Sequence, residues 1–356
     1  MNRKYTCLPV ALAFFSLLPA LSQVDDADSV YNISDTLDKD FGMFTNSDVL
    51  DLALWFDITQ YTRKKPKEEY LDAILTYYLN QTDSINKKIR LKSRGEFRNG
   101  FCDFPPLVIN FKKTDFKMED LKELGKVKLV THCQSGNEDY LFKEYLIYRL
   151  FNVLTENSFR VRLLRITYHN TYKTKKPIQT YGFFIEPIDL LAERLNATPV
   201  ESVNLSQKNM LPEIVDRVAI FNYMIGNTDW TVPNQHNCKI LAQHDTDHPE
   251  LGMVVPYDFD YSGLVNADYA VPYEALGIES VRERIYLGRC RSEEDYMKAL
   301  KEFTDKKEEL FRVIQEFSLI NERTKKEMIN YLEGFYSLFD KRNSIVYELL
   351  HDCKEY

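Results

Sequence analysis

Residues 221–263 read FNYMIGNTDWTVPNQHNCKILAQHDTDHPELGMVVPYDFDYSG. An apolar run, helical in spacing from Pro212 to Ile225, ends in Asn227-Thr228-Asp229-Trp230. Asn234, His236 and Asn237 follow, and then a short apolar strand, Cys238 to Leu241. A charged turn leads to a second apolar run, Gly252 to Pro256, which delivers Asp258-Phe259-Asp260. One Asp thus stands before an Asn-ended loop and another stands after the next strand. Phosphoryl transfer uses carboxylates and an amide in this order: one Asp near the attacking group, then an Asn and an Asp on Mg²⁺. Asp and Asn are also common turn residues, so the pattern needs support from the rest of the chain.

The character of the chain changes on either side of this stretch. Upstream, Val49–Ile58 and Tyr70–Tyr78 have strand-like apolar density, Ile85–Leu91 alternates apolar with basic residues, and Leu107–Phe111 follows the Pro105-Pro106 break. Lys126–His132 alternates again, with Lys128 on one face. Arg160–Tyr168 and Tyr181–Glu186 read as an antiparallel pair around a basic turn at 170–177. Between these strands Asn137 can cap a helix reaching about Leu154, with Leu141, Tyr145, Tyr148 and Phe151 on its stripe. Another helix starts over Ile188–Leu195. Downstream, helical periodicity covers about 292–303, 305–318 and 322–350. Strands first and helices later predict an α+β protein with a sheet-rich first lobe, 43–187, and a mainly helical second lobe, 188–356.

Composition bounds the function classes. The chain has 356 residues, 44% of them hydrophobic, which is ample material for a core. The net charge of −8, with both signs mixed, argues against general nucleic-acid binding, which wants a basic face. Asn2-Arg3-Lys4, the apolar run Leu8–Leu21 and the small-residue site Ala20-Leu21-Ser22 read as a secretory leader over 1–22, followed by a loosely ordered acidic segment, 23–42. The apolar run is too short to span a bilayer, so a soluble exported protein is expected, without stable membrane insertion. Its removal would take Cys7 and leave Cys102, Cys133, Cys238, Cys290 and Cys353, enough for one or two bridges but no disulfide framework. No Cys/His spacing suggests structural zinc. Neither a G-x-S-x-G element nor H-E-x-x-H is present.

The candidate residues follow from their chemistry. Asp229 can accept a proton from an attacking hydroxyl. Asn237 can offer a neutral oxygen to Mg²⁺, and Asp258 a hard carboxylate; Asp260 is a second ligand or a cap. Asn234 is the rival for the Asn role, because it lies five residues after Asp229. His236 binds phosphate or orders the loop. A strand carrying Lys128 followed by a helix carrying Glu144 can bring a cation and an anion together over nucleotide phosphates, or simply place a solvated Lys and a surface Glu. Arg94-Gly95 can hold phosphate through a forked guanidinium and a close backbone approach, or form a hairpin turn.

The order RGEFR (94–98), GKVKLVTHC (125–133), LFKEYLIYRL (141–150), YGFFIEP (181–187), GNTDW with NQHNCKIL, and VPYDFD (255–260) resembles the CotH-type kinase-like proteins, exported atypical protein kinases, and is closest to secreted members of Bacteroidetes type. The resemblance runs from about residue 43 onward. It implies a two-lobed protein-kinase-like fold that binds ATP with Mg²⁺ or Mn²⁺ and phosphorylates Ser or Thr of a protein. By position it implies that Arg94 and Gly95 form the turn of the first sheet, that Lys128 holds phosphate (with Lys126 and Lys112 as rivals), and that Glu144 is its partner. It further implies Glu186 at the strand leading to the hinge, Asp229 as the catalytic Asp, and Asn237 and Asp258 on the metal. The glycine-rich loop G-x-G-x-x-G is absent, and the DFG-like triplet reads Asp-Phe-Asp. A non-catalytic kinase-like scaffold of the envelope is the alternative, and a metal-dependent phosphate-ester hydrolase a third.

Overall fold

Alternating side chains let the strands of the first half face two environments at once. The computed structural model describes residues 43–78, 84–111, 124–134, 138–201, 204–244, 247–340 and 344–355, all within the unit that runs from 37 to 356. The expected leader over 1–22, the 23–42 segment, the Asn137 cap and Lys112 lie outside the described residues. Seven strands, β1 (Leu50–Phe56), β2 (Leu71–Tyr78), β3 (Ser84–Ser93), β4 (Leu107–Asn110), β5 (Lys126–Val130), β6 (Val161–Asn170) and β7 (Ile178–Ile185), pair in the order β1-β2-β3-β4-β5-β7-β6. β6 returns to β1, in parallel, from Leu50 opposite Leu164 to Phe56 opposite Asn170, whereas the other pairs run antiparallel. The sheet is therefore a closed mixed barrel.

This overturns the expected kinase-like fold class with its sheet-rich lobe. Most strand positions follow the apolar pattern, but local pattern carries no information about which strands pair. The parallel β1–β6 contact joins segments more than a hundred residues apart in register. It covers what would otherwise be an open edge.

Leu52, Leu54, Phe56, Ile89, Leu91, Leu107, Ile109, Leu129, Leu164, Ile166, Tyr168 and Phe184 belong to the barrel's own core. A barrel this small is filled by side chains. The alternate residues Val161, Leu163, Phe183 and Ile185, with Val130, point the other way and join a second core under the helices.

The helices are α1 (Ile58–Lys64), α2 (Phe97–Phe101), α3 (Glu138–Leu154), α4 (Ile188–Arg194), α5 (Pro212–Ile225), α6 (Glu293–Asp305), α7 (Lys307–Gln315), α8 (Glu322–Asp340) and α9 (Ser344–Asp352). Every residue of α3 from Leu141 to Tyr148 is buried, as expected for a helix covered on all sides. It packs on β6, β7 and α7. A second, three-stranded sheet has the order β10 (Gly252–Pro256), β9 (Cys238–Gln243), β8 (Ala197–Val200). α5 opens on Pro212, whose missing N–H costs nothing at a helix start. It stops at Gly226, φ 67°, where a Cβ would overlap the Tyr331 hydroxyl.

Cys102 bridges to Cys133 and Cys290 to Cys353, while Cys238 is free and buried. Two bridges are compatible with an oxidising compartment. Among the described residues no helix is long and apolar enough to cross a membrane.

Candidate active site

The β9–β10 register sets the site. Cys238 pairs with Pro256, so Asn237, just before β9, lies beside Tyr257 and Asp258, just after β10. The Tyr257 N–H donates to the Asn237 carbonyl at 2.9 Å. Asn237 and Asp258 both adopt left-handed backbone, φ 50° and 64°. Such conformations in non-glycine residues persist where the surroundings impose them, and they cluster at functional sites. Here the Asp258 N–H donates to the Tyr148 hydroxyl of α3 at 2.9 Å.

The loop after α5 brings in Asp229. The Asp229 N–H donates to Asn227 Oδ1 at 3.2 Å. His236 Nε2 lies 2.8 Å from Asp229 Oδ1, and Asn237 Nδ2 donates to Asp229 Oδ2 and to its carbonyl, each at 2.8 Å. The carboxylate is thus held at both oxygens while remaining partly open to solvent. Asn234 Oδ1 accepts from the Thr231 hydroxyl and from the His236 N–H, so Asn234 orders the turn. Trp230 is buried behind it.

The barrel contributes the cations. Lys128 on β5 lies between Val108 and Ile185, and its ammonium sits 4.2 Å from the centre of the Tyr257 ring. Burial brings Lys128 down to about 7, with Arg94 and Lys239 adding to the fall and Asp258 opposing it. Arg94 follows β3, and its buried Nε has no hydrogen-bond partner among the described residues. Gly95 takes φ 81°, and a Cβ there would meet only Arg98 Cβ, at 4.0 Å, so the turn needs glycine for its backbone angle. Burial works to raise the Asp258 carboxyl, but Arg94, then Arg98, Lys128 and His236, outweigh it and hold the group below its usual value.

Glu144 is buried, contrary to a surface position, and its partner is Arg98 rather than Lys128. Arg98 Nη2 lies 2.6 Å from Glu144 Oε2, and its Nε lies 2.8 Å from Asp260 Oδ2. The Tyr269 hydroxyl donates to the same Asp260 oxygen at 3.0 Å. Burial raises both carboxyls, and Arg98 pulls against it. Asp260 therefore serves an ion pair that ties α2 to the segment after β10. Arg98 was visible only as the last letter of RGEFR; nothing in its local pattern marked it as the centre of a buried cluster. Glu186 is also engaged elsewhere, with Arg194 Nη2 at 2.9 Å and the Arg160 N–H at 3.0 Å.

Among the described residues no three His, Cys, Asp or Glu side chains gather as a metal site. The donor set beside Asp258 still fits a hard cation. The Asn237 amide nitrogen donates to Asp229, so its oxygen is not used in that contact, and the Asn237 backbone is bonded to Tyr257, the residue before Asp258. Mg²⁺ is commonly held by one or two protein oxygens together with substrate phosphates and water.

No known family matches the sequence, and no curated protein matches it. Among solved structures, the proinflammatory kinase CtkA of Helicobacter pylori is similar at TM-score 0.40 and 12% identity, over 63% of this chain and 91% of that one. A likeness this slight carries no argument about activity.

Proposed function

We propose that the chain is a metal-dependent phosphotransferase of CotH type, acting outside the cytoplasm, that moves the γ-phosphoryl group of ATP to a Ser or Thr hydroxyl of a protein. The observation that carries this reading is the meeting of Asp229, Asn237 and Asp258 at one end of the β9–β10 hairpin, with Arg94 and Lys128 acting electrostatically on Asp258.

Asp229, fixed by His236 and Asn237, orients the acceptor hydroxyl and receives its proton as the oxygen bonds to the γ-phosphorus and the bond to the β-phosphate oxygen breaks. Lys128 and Arg94 neutralise phosphate charge. The unpartnered Arg94 Nε is suited to an oxyanion. Asn237 Oδ1 and the Asp258 carboxylate would hold Mg²⁺ or Mn²⁺. When bound, the metal supplies charge stabilisation at the phosphate oxygens. Calorimetric titration of ATP with and without Mg²⁺ or Mn²⁺, with Asp258→Ala as control, tests the reading: binding should need both the metal and Asp258.

One observation favours the non-catalytic scaffold instead. Glu144 is bound to Arg98, and so it does not orient Lys128. No ATP binding under either metal would decide for that second reading.

A further inference from the structure

Four aromatic rings crowd the rim of the candidate site. Phe97 and Phe101, one turn apart on α2, stack at 5.5 Å. Phe97 meets Tyr261 at 5.8 Å and Tyr269 at 5.6 Å, and Phe101 meets Tyr269 at 5.3 Å. Such a cluster would ordinarily be covered. Yet Phe97 and Phe101 remain 46% and 41% exposed, and Val271 and Tyr273, just beyond Tyr269, 70% and 73%. Large apolar side chains left exposed within one ring cluster are candidates for a binding surface.

The platform joins the proposed chemistry at two points. Tyr269 donates to Asp260. The Tyr261 hydroxyl is raised by burial and then by the Asp260 and Asp229 carboxylates, which places it in the field of the proposed base. On its other side α2 rests on the end of α1: Lys65 Nζ donates to the Gly100 and Cys102 carbonyls at 3.3 and 2.8 Å. The preceding Arg63 and Lys64 are exposed. On a chain of net charge −8 these exposed cations are a local feature, and the Glu96 carboxylate before Phe97 is paired to Lys67 at 2.7 Å.

We propose that this platform docks the acceptor, and that the acceptor is an extended polypeptide segment carrying a large apolar side chain near its hydroxyl, with acidic residues alongside. The substrate class rests on the phosphotransferase reading. Phe97 and Phe101 have no polar tips, so they suit an apolar side chain better than a sugar, which would need hydrogen-bonding groups around its stacking face. Arg63 and Lys64 supply the complement to acidic flanks.

The test uses the purified chain and a fluorescein-labelled nonapeptide with one central Ser, a Phe two residues from it and two Glu, followed by anisotropy without ATP. Phe97→Ser/Phe101→Ser and the Phe→Gly peptide should each weaken binding by about tenfold or more, the range expected for an apolar side chain that loses its burial. Calorimetric ATP binding by the double variant should be unchanged. Equal peptide binding by wild type and double variant overturns the proposal, as does no binding at about 1 mM peptide. A dimer in sedimentation that the double variant abolishes, or binding to phosphatidylglycerol vesicles with the same dependence, overturns it too by identifying a different occupant. Peptide binding without any ATP binding in the wild type supports the docking surface and overturns the phosphotransferase reading instead.

Discussion

Replacing Arg98 by Met should be among the most destabilising single changes in this protein. The guanidinium is the shared partner of two carboxylates, at 2.6 and 2.8 Å. The side chains of Arg98, Glu144 and Asp260 are 11%, 1% and 8% exposed, so solvent screening does little for them. Removing one partner of a buried ion pair leaves an uncompensated charge, at a cost of about 3–5 kcal/mol. Two carboxylates depend on this partner, so the upper end of that range is expected at pH 7 to 8. The melting temperature should fall by about 10 °C, at about 2 °C per kcal/mol for a large domain.

The sign of the pH dependence is fixed by the same geometry. Arg98 is the attraction that opposes burial at Glu144 and Asp260, so without it both carboxyls rise further. A carboxyl raised above its unfolded value favours the fold fully below that unfolded value, and the contribution is lost as pH rises through the folded one. The deficit of the variant should therefore shrink from pH 8 toward pH 5. Urea unfolding of wild type and variant across that range measures it. A deficit under about 1 kcal/mol at pH 7, or one that is flat with pH, would refute the buried-cluster reasoning. The triple variant with Glu144→Gln and Asp260→Asn should recover most of the loss, because no unpaired charge remains.

Lys128 titrates near 7 in the free protein, so a bound phosphate should draw a proton onto it; ATP affinity should fall by up to about tenfold per pH unit above 7, with proton uptake seen by calorimetry in buffers of different ionisation enthalpy. Asp258→Ala should abolish metal-dependent ATP binding, whereas Asp229→Asn should leave binding within about threefold and lower transfer by about 10²–10⁴ in a radiolabelled phosphate assay. Gly226 and Gly277 share φ 67°, but only the first faces an obstacle, Tyr331. Gly277→Ala should cost about 1 kcal/mol for its backbone angle, and Gly226→Ala about 1–3 kcal/mol more for overpacking; equal losses in urea unfolding would discount the Tyr331 contact.

Elements with a strong period were legible in the chain. The strands over Ile85–Leu91 and Lys126–His132 and the helix over Pro212–Ile225 appear close to where alternation and apolar spacing put them. The segment expected as one helix over 322–350 is described as two, α8 and α9. Closure of the barrel was not legible, because partner choice between β1 and β6 depends on distant residues. The two short apolar runs after Asn237 and before Asp258 were legible as strands around a charged turn, and their antiparallel pairing comes from the structure. Arg98 could not: a single Arg in a five-residue helix has no periodic context, and its role comes from Glu144 and Asp260, 46 and 162 residues away.

The parallel seam between β1 and β6 also sets a timetable. During synthesis, β1 emerges with β2 but lacks its second neighbour until the chain beyond Asn170 has followed. Contacts of such long sequence separation form slowly, and an unpaired strand edge recruits other chains in the meantime. Cys102 and Cys133 can meet earlier, once β5 is out. The bridge would then clip β4 and β5 together while β1 waits for its last partner, so the yield of folded protein should depend on how soon an oxidant meets the nascent chain.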